Sequence, residues 1–179
     1  GFGHPIMPVI TNAFPQVLQG YQWGLIPFWL KKTQDVPKMQ KMCLNARIET
    51  ILEKASFKAS AKYKRCLIPA TSFYEWQWLD PKGKQKQKHE ITSETMRTFC
   101  FAGLWSVWTD PIKDITHNTF TLCTAPANAL MERIHNTKKR MPVVLSKREE
   151  QEYWLQEGEV PIRDMITLTQ EQSLVAQEV

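Results

Sequence analysis

The stretch from Ser72 to Lys88 leaves little choice of local structure. Tyr74, Trp76 and Trp78 alternate with Glu75 and Gln77, a period of two that belongs to a strand. Asp80-Pro81-Lys82-Gly83 follows with the residues that a tight turn prefers, and the return strand is expected to begin near Lys88. A hairpin here commits the chain to antiparallel pairing. Lys82, Lys84, Lys86 and Lys88 decorate its tip, where they either meet phosphates or are simply solvated.

The neighbouring segments agree with a sheet-based fold. Tyr21 to Trp29 reads as a strand ending in a bend at Gly24 and Pro27, and Cys66 to Pro69 as a strand piece. Thr98 to Trp108 and Asn118 to Thr124 read as further strands, separated by a loop containing Asp110-Pro111. Helices are expected over Glu49 to Ala61, over Ala127 to Ile134 with Thr124 as a cap ahead of Pro126, and over Lys147 to Leu155 with Ser146 as the cap. Met141 to Leu145 returns as a strand, the tail from Pro161 suggests a last strand, and Gly1 to Gly20, with three prolines and no period, suggests an irregular surface segment. Strands with interspersed helices but no regular β-α alternation give an α+β fold.

Composition sets the outer bounds. A chain of 179 residues holds one domain with a real core, and 42% apolar residues with seven Trp and eight Phe exclude disorder. No apolar run approaches the roughly 18 residues of a membrane span, so no membrane partner is expected. The net charge of +5 favours a polyanionic partner. Cys43, Cys66, Cys100 and Cys123 stand singly, without the spacing of a zinc site or a redox motif. An intracellular, reduced compartment is expected, with no metal and no cofactor.

Three places set polar or ionisable side chains inside apolar stretches, where burial is costly unless the group has a function. They are Asn45-Ala46-Arg47-Ile48-Glu49, Phe73-Tyr74-Glu75-Trp76, and Ile134-His135 with Arg140-Met141-Pro142. In a strand, Phe73, Glu75 and Gln77 face away from Tyr74, Trp76 and Trp78, so Glu75 leaves the bulky face and is suited to proton transfer or to pairing with a structural arginine. His135, at a helix end, is either an acid-base group or a cap on the helix dipole. Asn45 suits a substrate oxygen or a turn, and Arg47 suits a phosphate or Glu49.

Taken in order, these segments closely resemble the SRAP family, the SOS-response-associated peptidase domain. The resemblance runs from Trp23 to about Leu155. Its motifs are Trp23-Gly-Leu-Ile-Pro27-x-Trp29, Asn45-Ala-Arg47-x-Glu49, Arg65-Cys-Leu-Ile-Pro69, Phe73-Tyr-Glu75-Trp76, Phe101-Ala-Gly-Leu-Trp105, Thr124-x-x-Ala127-Asn128, Ile134-His135 and Arg140-Met141-Pro142. For the fold it implies one domain over residues 1–179, with mostly antiparallel strands in a curved or barrel-like sheet and short peripheral helices. For function it implies a sensor of abasic sites in single-stranded DNA that forms a covalent DNA-protein crosslink, working as a monomer in the cytoplasm at the nucleoid, or in the nucleus. In the family a cysteine exposed at the N-terminus closes a thiazolidine with the sugar aldehyde. Carried over by motif, Asn45, Glu75 and His135 would be catalytic. Arg47 and Arg140 would hold phosphates, Thr124 would add a contact, and Pro27, Trp29 and Trp76 would wedge against or stack on bases.

Two departures qualify the resemblance. The sequence opens at Gly1 with no Met-Cys, so the nucleophile is expected in a native N-terminal segment missing from this chain, which by itself would not crosslink. Asn136, Thr137, Lys138 and Lys139 stand between His135 and Arg140, where family members usually have one residue. Two other functions fit the same residues: a non-catalytic single-stranded DNA-binding module, and a cysteine peptidase limited to its own N-terminus.

Overall fold

A computed structural model describes residues 3–179. In chain order the elements are β1 (Ile6–Thr11), β2 (Phe14–Trp23), α1 (Val36–Met42), β3 (Asn45–Arg47), α2 (Lys58–Tyr63), β4 (Arg65–Ala70), β5 (Phe73–Trp78), β6 (Lys86–Ser93), β7 (Phe99–Thr109), β8 (Thr116–Pro126), α3 (Ala129–Ile134), β9 (Arg140–Pro142), β10 (Val144–Leu145), α4 (Arg148–Leu155), α5 (Ile162–Gln170) and β11 (Leu174–Glu178).

Five strands close on themselves. β1 pairs with β2, β2 with β8, β8 with β7, β7 with β4, and β4 with β1. Closure removes free sheet edges, and every pairing in the ring is antiparallel except the short one between β2 and β8. The long strands β7 and β8 carry extra partners. β10 continues the edge of β7, β9 pairs with the end of β8, and β3 lies parallel to β8. A second, three-stranded antiparallel sheet, in the order β11-β6-β5, leans on this barrel. The expected α+β barrel-like architecture with short helices is therefore the observed one.

The barrel is closed because its strands can be buried. β4 and β7 are apolar in nearly every position, as strands covered on both faces must be. Gly103 permits the closest crossing: a Cβ there would lie 2.8 Å from the Thr121 carbonyl oxygen and 2.4 Å from Ile68 Cδ1. Trp154 of α4, fully buried, donates from Nε1 to the carbonyls of Cys66 (3.0 Å) and Gly103 (3.3 Å), tying the helix to two barrel strands. Phe73 of β5 meets Phe99 and Phe101 edge-on, joining the second sheet to the barrel.

Several boundaries differ from the sequence expectations. Gly1 and Phe2 lie outside the described residues, and the rest of the supposed irregular N-terminal segment forms the β1-β2 hairpin. Its Pro8 sits where β1 pairs with β2 alone, and Pro15 near the start of β2, positions where a missing N–H is tolerated. The helix expected over Glu49 to Ala61 is a 3-10 turn (Ile48–Thr50) followed by turns and only then α2. Ile48, Ile51, Phe57 and Ala61 all enter one core cluster, and that burial overrides helical propensity. Asn128, whose Oδ1 accepts from Met131 N (3.0 Å), caps α3 in place of Thr124, and α4 starts at Arg148, one residue later than expected, with Lys147 as the cap in place of Ser146. The tail holds α5 ahead of β11. Among the described residues, no helix is long and apolar enough to cross a membrane.

Candidate catalytic and nucleic-acid site

Glu75 and His135 meet where the two sheets meet. Glu75 points from β5 on the face shared with Phe73 and Gln77, as the alternation requires, and α3 packs against that strand. Gln77 donates to the Arg133 carbonyl (3.2 Å), which holds the end of α3 beside Glu75. The Glu75 carboxylate then lies 3.5 Å from His135 Nδ1, with both side chains roughly three-quarters buried, while its other oxygen accepts from Trp76 N (2.9 Å). His135 Nδ1 is closer still, at 2.7 Å, to the Arg140 carbonyl. A carbonyl oxygen only accepts, so Nδ1 carries the proton and Nε2 is the nitrogen left for chemistry.

The four residues between His135 and Arg140 do not pull the pair apart. Asn136 turns outward and bonds the backbone of Trp78 twice, accepting from its N–H (3.2 Å) and donating to its carbonyl (2.8 Å). Lys139, with φ of 51°, reverses the chain into β9. The insertion therefore bulges against the β5-β6 hairpin, and His135 and Arg140 remain bonded.

Arg140 is heavily engaged. Its guanidinium grips both oxygens of Glu49, the second at 2.8 Å, and also donates to the Thr124 carbonyl (2.7 Å) and to Thr124 Oγ1 (3.2 Å). The Arg140 bond holds the Glu49 carboxyl below its usual range, partly opposed by desolvation. Glu49 thus engages both terminal nitrogens of the Arg140 guanidinium. The Arg47 side chain is exposed and makes no hydrogen bond or ion pair with the described residues, and Asn45 shares its outward face while Ala46 turns into the core.

The aromatic expectations divide. Trp76 is 46% exposed, on the solvent face of β5. Trp29 is half-exposed and donates from Nε1 to the Ala55 carbonyl (3.1 Å), whereas Pro27 is buried and the exposed ring beside it belongs to Phe28. Lys88 sits over Tyr74 at 4.0 Å from the ring centre, so part of the hairpin charge covers aromatic rings. The role of Glu49 was invisible in sequence, because its partner lies 91 residues away.

All four cysteines are free and buried. Burial pushes each thiol up, Cys100 to about 11, which leaves all four poor nucleophiles. Among the described residues, no group of three or more His, Cys, Asp and Glu is gathered to hold a metal.

A closed barrel, a second sheet leaning on it, and a carboxylate-imidazole contact at their junction define an α+β protein with an acid-base pair at its surface. The chain matches the model of the SOS response associated peptidase (SRAP) family over residues 4–179, and it belongs to that family. It is 42% identical over 150 residues to the abasic site processing protein YoqW of Bacillus subtilis (strain 168), covering 84% of this chain and 62% of YoqW. Against the abasic site processing protein HMCES of Xenopus tropicalis it is 35% identical over 173 residues, covering 88% of this chain and 50% of that protein. The chain thus spans less than two thirds of the length of these relatives. An X-ray crystal structure of a protein from Bacteroides thetaiotaomicron superposes with a TM-score of 0.87 at 34% identity, over 99% of this chain and 75% of that one.

Proposed function

We propose that these 179 residues act as one SRAP domain that recognises abasic sites in single-stranded DNA and serves covalent capture of the lesion at the nucleoid or nucleus. The contact between Glu75 and His135 beside the exposed Trp76 carries the proposal, and the names of the relatives support it. An abasic sugar is mostly a closed hemiacetal, and opening it moves a proton from the C1′ hydroxyl to the ring oxygen. Nε2 of His135 is the group for that transfer, with Nδ1–H held by the Arg140 carbonyl. Glu75 takes the proton that an attacking amine must lose. Asn45 and Arg47, on one outward face, would hold a sugar oxygen and a phosphate, and Trp76 and Trp29 would stack on bases.

The covalent step is a thiazolidine closure. An α-amine, with a pKa of about 8, is roughly one-tenth neutral at pH 7, far more than a lysine amine, and the neutral form attacks the aldehyde carbon. The carbinolamine loses water, and the thiolate of the same residue adds to the iminium carbon to close a five-membered ring at high effective concentration. One C–N and one C–S bond form, the C=O is lost, and its oxygen leaves as water with one proton from nitrogen and one from sulfur. Cys43, Cys66, Cys100 and Cys123 are internal and buried, so the proposal assigns this residue to the protein's native N-terminus.

Denaturing electrophoresis of protein made from its native start codon, incubated with single-stranded DNA bearing one abasic site, tests this reading. A slower band is expected for that protein, none for the chain beginning at Gly1, and capture about a hundredfold or more slower for Glu75→Gln. No band from a protein whose native N-terminus is verified intact would reject covalent capture and leave a non-covalent single-stranded DNA binder.

A further inference from the structure

We propose that Glu49 is a positioning residue, which through Arg140 holds the His135 ring on the Arg140 carbonyl. This rests on the reading of His135 as a proton-transfer group. Two acceptors compete for the Nδ1 proton: the Arg140 carbonyl at 2.7 Å and the Glu75 carboxylate at 3.5 Å. The outcome sets the character of the imidazole. Bonded to the Arg140 carbonyl, the ring is fixed with Nδ1–H engaged and Glu75 left for other protons; turned onto Glu75, the ring would aim Nε2 elsewhere and occupy that carboxylate.

Little else secures that carbonyl. Arg140 begins the three-residue strand β9, directly after the exposed insertion 136–139 and the left-handed Lys139. Its backbone is tied to the last residues of β8, through the Pro126-Arg140 pairing and a bond from Ala127 N to the Lys139 carbonyl (3.0 Å), and to His135 through a bond from Lys139 N to the His135 carbonyl (2.9 Å). Its side chain supplies the stronger anchor. β3 runs along one edge of β8, with Arg47 opposite Thr124, and β9 along the other, with Pro142 opposite Thr124. The Glu49-Arg140 pair spans this strand end and clamps both edges together, with Thr124 taking two further bonds from the same guanidinium nitrogen. A two-pronged grip of this kind fixes direction as well as distance. The Arg140 Nε is buried without a partner, a cost that a purely phosphate-binding arginine at the surface would not bear.

Nitrogen-15 NMR of the imidazole rings, in protein without DNA, reads the consequence directly. In the wild type, His135 is expected as the Nδ1–H tautomer. In Glu49→Gln the ring should turn toward Glu75, and the through-hydrogen-bond coupling from Nδ1 to the Arg140 carbonyl carbon, present in the wild type, should be lost. The rate of capture at saturating DNA should fall by about tenfold with DNA affinity unchanged, which mere loosening of the fold does not produce. Arg140→Lys keeps the charge and the carbonyl but loses the two-pronged grip, and it should lose the same coupling even if Glu49→Gln folds poorly. A coupling from Nδ1 to the Arg140 carbonyl carbon retained in both variants would overturn the proposal. If His135→Gln captures abasic DNA at the wild-type rate, the functional reading of His135 fails while the NMR result stands on its own.

Discussion

The barrel and the three-stranded sheet use the same strand chemistry to opposite ends. In the barrel, β4 and β7 bury nearly every side chain, and Gly103 lets two strands approach within a distance that no Cβ would allow. In the second sheet, β5 alternates half-buried Phe73, Glu75 and Gln77 with the exposed Tyr74 and Trp76. β4 and β7 have no spare face, and what the barrel offers the site comes from its margins: Glu49 just past β3, Thr124 at the end of β8, Arg140 in β9. The second sheet is buried on one side only, and that half-burial lets one strand present a carboxylate to His135 and an indole to solvent. Rigidity and accessibility are thus supplied by separate layers, with α3 as the joint between them.

If that division holds, variants of the two layers fail in different ways. Trp154→Ala empties a large buried volume against Cys66 and Gly103 and should cost about 3–5 kcal/mol of stability, read from chemical denaturation. Gly103→Ala drives a methyl into the Thr121 carbonyl and Ile68, and a loss of about 1–3 kcal/mol is expected in the same measurement. Trp76→Ala should leave stability within about 0.5 kcal/mol while weakening single-stranded DNA binding by about 1–3 kcal/mol, measured by fluorescence anisotropy at fixed salt. Loss of fold in this variant would show that the second sheet is structural on both faces. A subtler change comes with pH. Glu49 is held below its ordinary value of 4.5, so its contribution to stability is complete above that value and is lost as pH falls through the lower, folded one. The difference in melting temperature between wild type and Glu49→Gln should therefore shrink on acidification in that range and be constant from pH 6 to 8.

The legible parts of this protein were those encoded within one segment. Alternation in Ser72 to Leu79, with its turn residues, was enough for the β5-β6 hairpin and for the face that Glu75 occupies. Long apolar runs gave β7 and β8. Expectations failed where a local cue was outvoted. Prolines at positions 8 and 15 suggested an irregular segment, but both sit where the ladder does not need their N–H groups. Helical spacing over Glu49 to Ala61 gave way because its apolar residues are wanted in one core from separate turns. Among the candidate site residues, the contact of Glu75 with His135 joins positions 60 residues apart, and that of Arg140 with Glu49 spans 91.

The order of residues alone established which side chains are costly to bury unless they have a function, the faces of the strands that carry them, and, through eight ordered motifs, the family. Barrel closure decided the rest. It brought Glu49 and Arg140 to opposite edges of β8, committed a guanidinium expected to meet phosphate to a carboxylate, and left Arg47 exposed. It also decided which nitrogen of His135 is free. Strand periodicity is a local property that the chain reveals in a few residues, whereas ion pairs and tautomers are set by groups within a few ångströms, and only the folded chain defines that neighbourhood.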